Sequence, residues 1–277
     1  MTLISRSITF IFFVLLPFIS IGQENTIAKN QSDKIYRIID ETSLGRQLDE
    51  WTRDFHSQFS QNPFGLDPNQ NKHLMELFLQ AFEMDKMLKQ VHNSFNQRYN
   101  SDHADSVLMW ADSNPSREVL ETRKEYYTLQ GIRNRVVNKY ELEQDPPSEE
   151  RTNLIDSLAH YTAAAKSEVD ANAIMFRAMV IAFSKLNNQQ SFSDAQVDNF
   201  VSNYRDQMAS QMNKEVLKKL LVMYHNLDNS VLQKFMVFYK SDAGSWLNTT
   251  ATESIQSALK AAADRFLNSV DKMKTSK

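Results

Sequence analysis

Only 5 Gly and 6 Pro punctuate the 277 residues of this chain. Average usage is about 7% Gly and 5% Pro, so residues that turn the backbone stand at about a third of their common level. Sheet folds reverse direction every few residues, and their turns draw on the φ > 0 freedom of Gly and the fixed φ of Pro. Long helices joined by few turns need little of either. The expected class is therefore all-α, a helical bundle.

A hydrophobic fraction of 42% with 10% aromatics supplies a core and excludes global disorder. The net charge of −3 offers no electrostatic footprint for nucleic acid. No polybasic segment points to an anionic membrane surface. With no Cys, neither a disulfide nor a thiolate metal site can form.

Residues 1–22 have the layout of a secretory signal peptide. Arg6 precedes an apolar run from Ile8 to Leu16, Pro17 breaks it, and Ser20 and Gly22 put small residues ahead of a cleavage point before Gln23. A membrane span needs about 20 apolar residues, and Thr9, Pro17 and Ser20 interrupt this stretch. Without a Cys after the run, a lipid-modified N-terminal Cys is impossible. The expectation is an exported protein, periplasmic or extracellular, soluble and without a membrane span once the leader is removed.

Beyond the leader, Gln23–Gln31 reads as a mobile polar tail. Leu48, Trp51, Phe55 and Phe59 are spaced 3, 4 and 4 and form one apolar helix face. Asn62–Pro68 gathers both breaker types in a loop. Leu74 to Phe82 carries the next helix, Asp85 is placed to cap another, and Val107 to Trp110 lies in a short helix ending near Ser113. Asn114-Pro115 restarts the chain, Asn as cap and Pro in the first turn, for a helix expected to reach about Tyr140.

Asp145-Pro146-Pro147-Ser148 is the expected boundary between halves 23–145 and 146–277, because adjacent prolines cannot continue a helix. Past it, Ser193 and Gln196 match a capping box. Asp228 is placed to cap a helix through Tyr239, and a last helix carries Ile255, Leu259, Phe266 and Val270. A weak internal repeat crosses the boundary. Trp110 aligns with Phe238, Ser113 with Ser241 and Asn114 with Asp242 at an offset of 128, while Asp105–Leu108 matches Asn229–Leu232 at 124. Two similar antiparallel halves are expected, of four or five helices each.

The chemistry-bearing residues converge poorly. None of the six His has a Glu three residues before it, so the ligands of a di-iron bundle are missing, and there is no His-Glu-x-x-His. The four glycines after the leader are too dispersed for a phosphate loop. Asp102-His103-Asp105 reads either as an acid–base or hard-metal cluster or as an acidic helix start. Glu149-Glu150 after Ser148 fits the same helix-start reading. Asn30-Gln31-Ser32 and Asn248-Thr249-Thr250 fit the short glycosylation sequon. Trp51, Phe55, Phe59, Phe235, Phe238 and Tyr239 are expected as core, or as the lining of an apolar cavity. Ser241 is read as a helix-end hydrogen-bonding residue, and Gly244 as a turn residue at φ > 0.

The segment Leu227–Gly244 resembles the signature of a bacterial helical family, domain of unknown function two-zero-five-nine, through its capped short helix, the Phe238-Tyr239 pair and the Ser241-x-x-Gly244 turn. The resemblance is best over Ser193–Val270, with a weak echo at Trp110–Ser113 where Pro115-Ser116 replaces Ala243-Gly244. It implies an all-helical secreted protein and carries over no catalytic residue. The expected function is non-enzymatic protein–protein contact in the cell envelope, with no catalytic, cofactor or metal residues assigned and the protein partner unknown. The alternatives are a carrier of an apolar small molecule between helices, or an enzyme whose site assembles from distant residues.

Overall fold

The computed structural model describes residues 21–187 and 191–275, with side chains over 29–187 and 191–273. Apart from its last two residues, the leader expected over 1–22 lies outside the described residues. Those residues form twelve helices and no strand. In chain order they are α1 (Ile21–Glu41), α2 (Leu44–Ser60), α3 (Pro68–Ala81), α4 (Met84–Gln97), α5 (Ser101–Ala111) and α6 (Asn114–Tyr126). After these come α7 (Leu129–Gln144), α8 (Glu149–Tyr161), α9 (Ala164–Leu186), α10 (Asp194–Met223), α11 (Asn229–Tyr239) and α12 (Asp242–Thr275). The segment expected as a polar tail is therefore the start of α1.

The sequence stripes become the buried faces. Leu48, Trp51, Phe55 and Phe59 of α2 are all buried, as are Leu74, Phe78, Phe82, Ile255, Leu259, Phe266 and Val270. Phe78 stacks on Phe82 at 4.1 Å and on Phe55 at 5.6 Å, and meets Phe266 edge-on at 5.8 Å. The 34-residue α12 is the central strut. Its alanines at 258 and 262, both fully buried, let α4 and α9 approach closely. Arg265 donates to the Ala81 carbonyl at 2.9 Å, Gln90 donates to Ser257 at 3.1 Å, and Arg98 pairs with Glu253, tying α12 to α3 and α4. One continuous core runs from Ile35 to Val270.

The capping box at Ser193 and Gln196 is present, Gln196 N–H donating to Ser193 Oγ at 3.3 Å and Ser193 N–H to Gln196 Oε1 at 2.9 Å. Pro146-Pro147 lies between α7 and α8. Several expected helix ends shift. Glu83, not Asp85, stands at the cap of α4, and Ser113, not Asn114, at the cap of α6. The helix expected to run from Asn114 to Tyr140 breaks after Tyr126 into α6 and α7. Seven described helices thus precede Pro146 instead of four or five.

The break after Tyr126 explains Gly131. Thr128 donates its hydroxyl to the Glu125 carbonyl at 2.8 Å and accepts from Gly131 N–H at 3.0 Å. A Cβ at Gly131 would lie 2.0 Å from the Glu125 carbonyl oxygen. The same corner recurs at Ser241, which donates to the Phe238 carbonyl at 2.7 Å and accepts from Gly244 N–H at 3.2 Å. Gly244 is thus a helical residue, and the expectation of φ > 0 is corrected; only Gly65 among the described glycines has positive φ. What Gly244 supplies is space, since a Cβ there would lie 2.1 Å from the Phe238 carbonyl oxygen. A third corner, at Ser113, uses the buried Ser116 instead of glycine, the two hydroxyls bonding at 3.0 Å.

The 128-residue offset coincides with helix starts: α5 and α11 each span 11 residues and begin at Ser101 and Asn229, and α6 and α12 begin at Asn114 and Asp242. The 124-residue offset does not, because Asp105 lies inside α5 while Asn229 begins α11. Two further corners of like geometry join α1 to α2 and α8 to α9. Ser43 and Ala163 sit there at φ 58 and 48, each after a Thr whose hydroxyl donates to the carbonyl four residues back.

Candidate functional site

Three pairs of helices, α1–α2, α6–α7 and α8–α9, meet α10, α11 and α12 around two adjoining spaces. The outer one is a cleft of about 740 Å³ between α2, α7, α9 and α10, within the roughly 300–1,000 Å³ typical of ligand sites. The inner one is a cavity of about 100 Å³, enough for several waters or a small organic molecule. Glu168, Val216 and Lys219 line both and form the wall between them.

Charged groups converge on this wall. Glu50, only 8% exposed on α2, takes Lys219 Nζ on one carboxylate oxygen at 2.5 Å and Arg135 Nη1 on the other at 3.0 Å. Arg135 also lies over the Tyr126 ring, 4.4 Å from its centre. Burial disfavours the Lys219 charge, but Glu168 and Glu50 outweigh that and raise its pKa, so the ammonium is retained. Burial pushes the Glu168 carboxyl up, against the lowering influence of Lys219. Burial and then the Glu50 charge push up Asp54 at the cleft rim. Such a cluster is expensive to bury and belongs to the pattern of functional clefts.

The inner cavity differs in its balance. Arg123, on α6, enters it with the phenols of Tyr224, Tyr239 and Tyr127 as its neighbours, Tyr239 within hydrogen-bonding reach. Tyr224 and Tyr239 are buried, and burial pushes the Tyr224 and Tyr127 hydroxyls up, so they remain neutral donors. The buried Trp51 indole N–H also borders this cavity and meets no hydrogen-bond acceptor in good geometry, although Glu168 lies near it. The remaining walls mix apolar side chains, among them Leu158, Phe235, Leu247 and Ile255, with uncharged polar ones such as Gln47, Asn248, Thr252 and Gln256.

The residues singled out by sequence fall in different places. Trp51, Phe235 and Tyr239 line the inner cavity, whereas Phe55, Phe59 and Phe238 pack within the core. Asp102-His103-Asp105 lies in the first turns of α5. Asn100 caps the His103 N–H at 3.0 Å, Asp105 pairs with Lys34, and the His103 ring lies 5.9 Å from Trp246. None of these three residues lines either space. Glu149 and Glu150 occupy the first turn of α8 behind the Ser148 cap, and Ser241 is engaged in its helix corner. Among the described residues no three of His, Asp or Glu converge to hold a metal ion, and no helix is long and apolar enough to cross a membrane.

Sequence reasoning missed Glu50, Arg123, Arg135, Glu168 and Lys219. Each reads locally as an ordinary charge on a solvated helix face. One signal was available for Arg123, which stands four residues before Tyr127 and so shares its helix face as far as the Thr128 break. No protein-family model matches the chain, and no curated protein or solved structure matches it.

Proposed function

We propose that this chain is a non-enzymatic, exported small-molecule-binding protein whose ligand occupies the inner cavity and reaches it past the wall of Glu168, Val216 and Lys219. The observation that carries this reading is the convergence of charged and phenolic side chains from six helices on two adjoining spaces inside an otherwise apolar bundle. Folding stability alone favours apolar residues of similar volume there. The ligand is more polar than the apolar cargo the aromatic stripes suggest, because half of the aromatic set lies in the core and charged groups take its place in the wall.

The location of the cavity supports a chain built as two similar halves. Thr42 and Thr162, Leu44 and Ala164, and Gln47 and Ser167 all line it, each pair 120 positions apart; Arg123 and Ala251, and Tyr127 and Ile255, do so at 128. A site between related halves starts symmetric, and the Arg123/Ala251 and Tyr127/Ile255 differences make it one-sided.

Methionine methyl NMR tests the ligand reading. Met212 lines the outer cleft and Met223 the inner cavity, whereas Met87 and Met175 are fully buried elsewhere. Screening small polar fragments is expected to move the Met212 or Met223 methyl and spare the other two. If no fragment moves either methyl more than Met87, the reading fails.

A second reading, protein contact, has its own surface. Leu129, Ile132, Val136 and Tyr140 of α7 are 82%, 45%, 70% and 63% exposed, and their 3, 4, 4 spacing makes one stripe facing away from the bundle. A straight stripe on one helix is self-complementary about a two-fold axis, so the occupant we assign to it is a second copy of this chain.

A further inference from the structure

Arg123 carries a charge that the fold does not neutralise. Among the described residues it forms no ion pair, and its neighbours are the phenols of Tyr127, Tyr224 and Tyr239. It lies over no aromatic face; Arg135 and Lys240 are the described cations that do. A guanidinium has five N–H donors, and Tyr239 can accept few of them. The other cation of the cavity, Lys219, is already engaged by Glu50 and stabilised by Glu168. One unmatched positive charge therefore faces a cavity of about 100 Å³ with largely apolar walls.

Arg123 is half-buried, and withdrawing an unpaired charge from water is costly; a fork of guanidinium donors fits a carboxylate in the two-pronged manner. The hydroxyls of Tyr127 and Tyr224, pushed up by burial, add donors that stay protonated. The small Ala251 side chain lines the same cavity and leaves room in it. We propose that the inner cavity binds a small organic monocarboxylate, its carboxylate received by Arg123 and the hydroxyls of Tyr127, Tyr224 and Tyr239, its body against Leu158, Phe235 and Ile255. This rests on the ligand-binding reading above and names the chemistry of the ligand. A single unmatched charge favours a monoanion over phosphate, and the apolar walls favour an organic body over an inorganic ion.

The test titrates the full chain with benzoate, with its neutral isostere benzamide, and with inorganic phosphate, by calorimetry and by the methionine methyls. Benzoate is expected to bind and move Met223 while sparing Met87, with benzamide at least about tenfold weaker and phosphate weaker still. Arg123→Gln is expected to weaken benzoate by about 10- to 100-fold, leave benzamide unchanged and keep or raise the denaturation midpoint. Arg123→Lys falls between. Ala251→Leu keeps the charge, fills the space and also removes benzoate binding. Equal binding of benzoate and benzamide at Met223 overturns the carboxylate assignment and leaves the ligand-binding reading standing. Failure of every compound to move Met212 or Met223 overturns both. Phosphate binding tighter than benzoate overturns the organic monoanion. An Arg123→Gln variant that is less stable yet binds benzoate like the wild type assigns the arginine to structure and also overturns the proposal.

Discussion

At the scale of single residues, two glycines and one carboxylate carry the clearest consequences. Gly131 and Gly244 are helical, so their value lies in what a methyl group would strike, a backbone carbonyl at 2.0 and 2.1 Å. Backbone cannot yield as a flexible side chain can, so Gly131→Ala and Gly244→Ala should each cost about 1–3 kcal/mol in urea denaturation, despite the better helix propensity of Ala. Gly65 is the control: at φ +65 with nothing near its Cβ, its Ala variant should cost only the left-handed conformation, about 1–2 kcal/mol. A gain in stability at Gly131 or Gly244 would refute the close approach. For Glu168, burial raises the folded pKa above the usual 4.5. The sign follows: its contribution to stability is present below pH 4.5 and lost as pH rises through the folded value. Glu168→Gln should therefore gain stability relative to wild type as pH rises from 4 toward neutral, and a difference independent of pH would contradict this. The sequence showed the identity of these residues but not their burial, because the atoms that meet them belong to neighbouring helices.

At the scale of elements, legibility followed the range of the forces. Stripes such as Leu48–Phe59 and the Ser193 capping box depend on neighbours within a turn or two, and both were readable from spacing alone. The α6–α7 break was hidden because the apolar periodicity is continuous only when Ile132 and Val136 are counted as core, and they are exposed. The Thr128-x-x-Gly131 corner, equivalent to Ser241-x-x-Gly244, was the local sign of that break. The exposed α7 stripe yields a prediction of its own. Sedimentation should show a concentration-dependent dimer of the full chain, and Val136→Glu should shift it to monomer without changing the helical circular dichroism. A wild-type chain that stays monomeric at hundreds of micromolar would remove the second copy as the occupant of this stripe.

At the scale of the whole molecule, composition decided the class and packing decided the site. Few Gly and Pro meant helices, and most of those few stand at helix ends: Pro68 in the first turn of α3, Pro115 in that of α6, Pro146-Pro147 between α7 and α8. The cavity was not legible, because Arg123, Glu168, Lys219 and Tyr239 come from four helices up to 116 positions apart, and only the joint core brings them together. The central claim is that this buried polar chamber holds a molecule. Native mass spectrometry of the protein isolated from its own cells tests that most directly, beside Val216→Trp, which fills the wall common to cleft and cavity. The account predicts a small organic mass bound to the wild type and absent from a folded Val216→Trp. A wild type that carries no ligand, or a variant that retains the same one, would contradict it.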